Sequence, residues 1–271
     1  MKKRPDGSVL ANPRNERIRA TRALSGRSVR KRTGQFLIEG PRSVREAVEF
    51  ADVNQVFITA ETSDRYPQII ELAQRREIRV SYATEEVIAH VSPDAQGVCA
   101  VGNQELATHD EVFALNPRLV VVLHEARDPG NVGTVIRAAD AAGADAVVMT
   151  QNSVDLYNPK VIRSTVGSMF HLPIVTNVAV ESALGAARQG GMRTLAADAG
   201  GERNIDHLVP QDFPAVWVFG NEAHGLSPQI LNEVDDVIRV PIYGNAESLN
   251  LAMAATVCLY ASARTINISQ V

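Results

Sequence analysis

The chain alternates short, uninterrupted apolar runs with segments whose apolar residues recur every three or four positions. In the first third, Phe36-Leu37-Ile38, Val56-Phe57-Ile58, Ile78–Tyr82 and Val98–Val101 predict four short strands. Between them Pro41–Phe50 and Pro67–Arg76 predict helices opened by proline, and Thr84 before Glu85 and Glu86 predicts a capped third helix. From Leu119 onward the runs are longer and almost wholly apolar: Leu119–Leu123, Ala146–Met149, Pro173–Val175, Met192–Ala196, Val216–Phe219 and Val237–Val240. Such strands alternating with helices predict a parallel sheet buried on both faces. The fold class is therefore α/β, in two domains. Residues 33–107 form a smaller N-terminal α/β domain, 108–118 a polar linker ending in Asn116-Pro117, and 119–271 a larger parallel-sheet domain.

Composition narrows the class. The 271 residues are 45% hydrophobic and 21% charged, enough apolar material for a full core. Two cysteines, Cys99 and Cys258, exclude a disulfide framework and a cysteine zinc site, and they fit a reducing, cytoplasmic setting. The apolar stretch Leu249–Ala263 is broken by Asn250, Thr256 and Ser262, so no membrane span and no membrane partner are expected. The basic N-terminus lacks the apolar core of a secretory signal. The histidines (His90, His109, His124, His171, His207 and His224) show no ligand spacing, and no metal is expected. Asp198 and Asp206 fall in a polar loop that is a candidate pocket entrance.

Charge is distributed unevenly. Residues 1–32 hold eleven of the 27 Lys and Arg but two of the 31 acids, a balance of +9, against −13 for the rest. A basic arm on an acidic body points to a polyanion, because neutralised phosphates release counterions and supply sequence-independent affinity. Arg14, Arg17, Arg27, Arg30, Lys31 and Arg32 are the candidate nucleic-acid contacts. The alternative for the same segment is a solvated tail.

Ligands of open α/β sheets gather beyond the carboxyl ends of the strands. Three polar turns occupy such places: Asp128-Pro129-Gly130-Asn131-Val132-Gly133 leading to Arg137, then Phe219-Gly220-Asn221-Glu222 with Gly225, then Pro241 through Glu247-Ser248-Leu249-Asn250. None satisfies G-x-G-x-x-G, and no P-loop occurs, which argues against a dinucleotide oxidoreductase and a P-loop NTPase.

Together these three turns, in this order over about residues 119–265, resemble the SPOUT superfamily, and within it the SpoU/TrmH-type RNA 2′-O-methyltransferases. The resemblance implies that 119–271 is a trefoil-knotted SPOUT domain and that 33–107 is an RNA substrate-binding domain. It implies S-adenosyl-methionine as cofactor, touched by Leu195, Gly220, Val240 and Leu249, with Gly220 permitting close backbone approach. It makes Arg137, Asn131, Glu222, Ser248 and Asn250 the catalytic set, and a homodimer with sites at the interface the working form. A guanidinium holds its proton far above neutral pH and is a poor base, so stabilising charge is the better-founded role for Arg137. The activity implied is methyl transfer to a ribose 2′-hydroxyl of structured RNA, with 23S ribosomal RNA favoured because members carrying an extra N-terminal domain often act on it. The alternatives are a transfer-RNA 2′-O-methyltransferase and a non-catalytic RNA-binding or ribosome-assembly protein of the same fold. Read singly, Arg137 is equally a helix-surface partner of Asp140 or Asp128, and Ser248 equally a helix cap.

Overall fold

A computed structural model of the protein describes residues 9–268. The chain divides into two compact units: residues up to Glu105 with Asp155–His171, and Leu106–Val154 with Leu172 onward.

The first unit opens with α1 (Glu16–Ala23) and α2 (Arg27–Thr33), followed by β1 (Gln35–Glu39), α3 (Pro41–Phe50) and β2 (Val53–Ile58). After α4 (Ala60–Arg65) and α5 (Pro67–Arg75) come β3 (Arg79–Tyr82), α6 (Glu85–Val91) and β4 (Val98–Asn103). The sheet order is β1-β4-β2-β3, with β4 antiparallel to both neighbours and β3 parallel to β2. Pro41 and Pro67 stand in the first turns of their helices, and Thr84 caps α6 by accepting from the Val87 amide.

From residue 9 onward the basic segment is folded rather than trailing. The Leu10 amide donates to the Tyr82 carbonyl at 2.9 Å, and Ile18 and Leu24 are buried with Phe57, Val87 and Ile88. Composition hid these helices, because three inward positions (Ile18, Thr21, Leu24) suffice to seat α1. Arg14, Arg27, Lys31 and Arg32 are exposed, whereas Arg17 lies over the Phe57 ring and donates to Ser81 Oγ at 2.9 Å. Arg30 departs from the expectation of an RNA contact. It is 3% exposed, and its guanidinium donates to the Leu24 and Ser25 carbonyls and to Asp155 at 2.6 Å. Lys2, Lys3 and Arg4 lie outside the described residues.

The second unit runs α7 (His109–Ala114), β5 (Leu119–Leu123), α8 (Pro129–Ala141) and β6 (Ala146–Thr150). The chain next supplies α9 (Pro159–Thr165) to the first unit and returns for β7 (Ile174–Val178), α10 (Val180–Gln189) and β8 (Arg193–Ala197). The two-residue β9 (Arg203–Asn204), β10 (Ala215–Phe219), α11 (Pro228–Glu233), β11 (Asp236–Arg239) and α12 (Leu251–Ile268) complete it. Every pairing in the seven-stranded sheet, β7-β6-β5-β10-β8-β11-β9, is parallel. β5, β6 and β10 are buried at every position, as their unbroken apolar runs require. Residues 108–118, expected as a linker, hold α7 because Thr108 and Glu111 form a reciprocal capping box and Val112 is buried in the core.

The 155–171 segment belongs to the first unit through several contacts. Tyr157 packs its ring 4.6 Å from Phe36 and donates its hydroxyl to the Glu105 carbonyl at 2.7 Å. Arg163 pairs with buried Glu39 at 2.6 Å and with Asp94 at 3.0 Å.

Arg30→Ala removes one partner of a largely buried pair and three charge-assisted bonds. A loss of about 3 kcal/mol in urea unfolding is expected, against under about 0.5 kcal/mol for exposed Arg32→Ala. Equal effects would mean that Arg30 is a surface residue.

Candidate active site

The loops after β8, β10 and β11 enclose a cavity of about 310 Å³. Ile238, Val240, Leu249, Leu251 and Ala254 form apolar walls, and Asp198, Asn221, Glu222 and Ser248 bring polar groups. A wider, shallower cleft of about 650 Å³ lies beside it, lined by Arg127, Asp128, Asn131, His224 and Asn250. Asn221, Glu222 and Ala223 line both, so one short turn after β10 forms their common wall.

The three sequence turns meet in a single hydrogen-bond relay. Glu222 accepts from the backbone amides of Arg127 and Asp128 at 3.2 Å each, and from Asn131 Nδ2 at 3.3 Å. Asn131 Oδ1 accepts from Asn250 Nδ2 at 2.9 Å, and Asn250 Oδ1 accepts from the Ala252 amide at 2.9 Å, capping α12. A carboxylate only accepts and a helix N-terminus only donates, so the orientation of both asparagine amides between them is determined. The helix cap read for Ser248 is thus carried by Asn250, while Ser248 lines the cavity. At the other end Asp128 caps α8, accepting from the Asn131 amide at 2.8 Å.

Gly220 serves the chain itself. A Cβ there would overlap the Gly225 carbonyl and stand 2.7 Å from the Leu226 amide nitrogen. That close approach lets Asn221 and Gly225 form a tight two-bond bridge, which shapes the common wall.

Of the residues expected at the cofactor, Gly220, Val240 and Leu249 line the cavity. Leu195 does not: it is fully buried in mid-strand, paired with Trp217 and Asp236, and the cavity begins at Ala197. Of the catalytic set, Asn131, Glu222 and Asn250 are joined and Ser248 is adjacent. Arg137 stands apart, exposed on α8, outside both linings and without a hydrogen bond or ion pair among the described residues. Asp198 lines the cavity, with one carboxylate oxygen on the Gly200 amide at 2.8 Å and the other unengaged among the described residues. Asp206 is exposed and lines neither cavity nor cleft.

Sequence reading passed over the pedestal beneath the relay. Glu125 follows β5 with φ of 48°, its amide donating to Thr150 Oγ1 and its carbonyl accepting from Asn221 Nδ2 at 2.7 Å. Asn152 and Arg127 donate to its carboxylate, each at 3.1 Å, and the Asn152 bond leads in holding that carboxyl below its ordinary range. His124 beside it is half-buried, and burial pushes its imidazole pKa down. The signal available was position alone, between a strand end and the first turn.

Comparison with known proteins decides the family. Residues 118–260 match the model of the SpoU rRNA Methylase family. The chain belongs to the SpoU rRNA methylase family. Residues 15–100 match the MRM3-like substrate binding domain. A Bacillus subtilis protein named 23S rRNA (guanosine(2553)-2′-O)-methyltransferase RlmP is 31% identical over 93% of this chain and 97% of its own length. A Streptomyces viridochromogenes 23S rRNA (uridine(2479)-2′-O)-methyltransferase is 30% identical over 93% and 90%. Among solved structures, an AdoMet-bound rRNA methyltransferase from Sinorhizobium meliloti superposes with a TM-score of 0.83, at 27% identity, over 95% of this chain and 97% of that one.

As in other SpoU methylases, the cofactor is S-adenosyl-methionine, and the cavity's residues suit it. Ile238, Val240, Leu249 and Leu251 offer apolar surface for a purine, while the Asp198 and Glu222 carboxylates offer acceptors for a polar, cationic end. The volume lies at the lower end of the ~300–1,000 Å³ usual for small-ligand sites.

If the relay sets the site, Asn131→Asp is more damaging than Asn131→Ala, since it removes a donor and places a second carboxylate against Glu222. Losses of about 1–3 kcal/mol are expected in urea unfolding, in that order; a reversed order would remove the relay.

Proposed function

We propose that this protein transfers the methyl group of S-adenosyl-methionine to a ribose 2′-hydroxyl of 23S ribosomal RNA. The observation that carries the reading is the wall shared by two spaces, an apolar-walled cavity and a polar cleft that meet at Asn221–Ala223. Cofactor in the first and a nucleotide in the second bring donor and acceptor together across one turn. The bound cofactor supplies a methyl group activated on a sulfonium; the chain supplies alignment and charge. Alignment contributes roughly 7–11 kcal/mol at best. The relay holds Asn131 and Asn250 on the cleft side. The names of the relatives, and the substrate-binding domain matched at 15–100, favour ribosomal over transfer RNA and an enzyme over a passive binder. Exposed Arg14, Arg27, Lys31 and Arg32 supply non-specific phosphate affinity. The reading includes the trefoil path implied by family resemblance, and a cytoplasmic setting that suits two buried, free thiols.

The working form in this reading is a homodimer. Met253, Val257 and Tyr260 are 64%, 41% and 52% exposed and fall at helical spacing on the side of α12 away from buried Ala255, Cys258 and Leu259. A second copy is the occupant that also explains Arg137, which lies outside its own chain's cavities and would complete the site of the other.

Arg137→Ala is expected to abolish methyl incorporation into unmodified 23S rRNA while keeping cofactor affinity within about tenfold, measured by calorimetry. Loss of both would mean misfolding. Mixing inactive Arg137→Ala with inactive Asn131→Asp is expected to restore activity, because a mixed dimer holds one intact composite site. No recovery in verified heterodimers would place both residues in one chain's site. Met253→Glu is expected to shift the sedimentation coefficient to that of a monomer; an unchanged dimer would move the interface elsewhere.

A further inference from the structure

The polar cleft has an electrostatic problem. Its lining includes two carboxylates, Asp128 and Glu222, yet its proposed occupant is a nucleotide carrying phosphate. Both carboxylates are engaged by donors from the chain: Asp128 by the Asn131 amide, Glu222 by two amides and Asn131 Nδ2. Arg127 is the one lining residue with a permanent positive charge.

Arg127 is held as a contact group is held. Its backbone amide is bonded to Glu222, and Ala126 before it is fully buried, with its carbonyl accepting from the Val154 amide at 2.9 Å. Its side chain is 65% exposed, and Nη2 alone is engaged, by Glu125 at 3.1 Å. Glu125 is itself fixed, in a left-handed conformation that non-glycine residues seldom adopt, with its other carboxylate oxygen taken by Asn152. One edge of the guanidinium is thus tethered while Nη1 and Nε make no hydrogen bond or ion pair among the described residues. A guanidinium presented in this way matches two phosphate oxygens at once.

We propose that Arg127 binds a backbone phosphate of the acceptor RNA, and that Glu125 is a positioning residue that sets the guanidinium at the mouth of the cleft. The proposal rests on the methyltransferase reading for the identity of the cleft's occupant. Binding energy delivered at the phosphate seats the neighbouring ribose without any contact to the cofactor cavity, in whose lining Arg127 has no part.

The test uses the full chain, in-vitro-transcribed unmodified 23S rRNA and S-adenosyl-methionine, with Arg127→Ala, Arg127→Lys and Glu125→Gln. Arg127→Ala is expected to raise KM for the RNA about tenfold and leave the calorimetric Kd for S-adenosyl-methionine unchanged. It is also expected to lower the slope of log K against log salt in filter binding by roughly 0.7–0.9, the equivalent of one phosphate. Arg127→Lys keeps the slope, since the charge remains, but recovers KM only in part, because a point charge does not form the two-pronged contact. Glu125→Gln keeps the slope and raises KM less than Arg127→Ala does. An Arg127→Ala protein with wild-type KM and slope overturns the phosphate contact, and one that loses cofactor affinity assigns Arg127 to the cavity instead. Wild-type KM in Glu125→Gln overturns the positioning role. Should the wild type transfer no methyl group to any RNA while Arg127→Ala still lowers the slope, the methyltransferase reading fails and the phosphate contact stands.

Discussion

The geometry of this molecule depends on a hydrogen-bond relay with fixed ends. Glu222 can only accept, and the first turn of α12 can only donate. Asn131 and Asn250 between them must each donate toward the carboxylate and accept from the helix side, so neither amide has a second satisfactory orientation. The links span 91 and 119 residues, which means that three distant turns are fixed relative to one another by a few side-chain bonds. Breaking a middle link releases two polar groups at once, so the turns on either side lose their connection together. The cavity and the cleft take their common wall from the turn that the relay ends on.

The parallel sheet makes such a relay possible. β5 and β10 are apolar at every position, so their polar neighbours stand only beyond the strand ends, and because the sheet is parallel β5, β10 and β11 end on the same side. α12 is then pinned from below: buried Trp217 in β10 donates to Ser262 at 2.9 Å, and Ser262 donates to the Cys258 carbonyl. One of the three polar residues that interrupt the apolar C-terminal stretch, Ser262, is therefore the partner of the largest fully buried side chain. With the helix body fixed on the sheet, its N-terminus at Asn250 arrives where the relay needs a donor.

What the sequence made legible follows the range of the interactions. The strands, the proline-led helices and the Thr84 cap are decided by neighbours within a few residues, and they stand where periodicity placed them. The three polar turns were legible because each follows an unmistakable apolar strand. Leu195 lies outside the cavity lining because it sits in mid-strand, two residues before Ala197, where the lining begins. Arg30 failed because an arginine is buried only when paired, and its partner, Asp155, is 125 residues away. The same distance concealed the allegiance of 155–171 to the first unit. Glu125 was silent because its role resides in a backbone conformation and four partners from β6 and the turns that follow β5, β6 and β10.

The protonation states available at the site limit what its residues can contribute to methyl transfer. Glu222 accepts from three donors, so its carboxylate is already committed to holding the turn. A ribose hydroxyl donating to that carboxylate would compete with those bonds at the turn shared by cavity and cleft. Asparagines 131 and 250 do not titrate, and arginine holds its proton far above neutral pH. The residues gathered here are suited to aligning an oxygen with a methyl group and to stabilising negative charge as it develops on that oxygen.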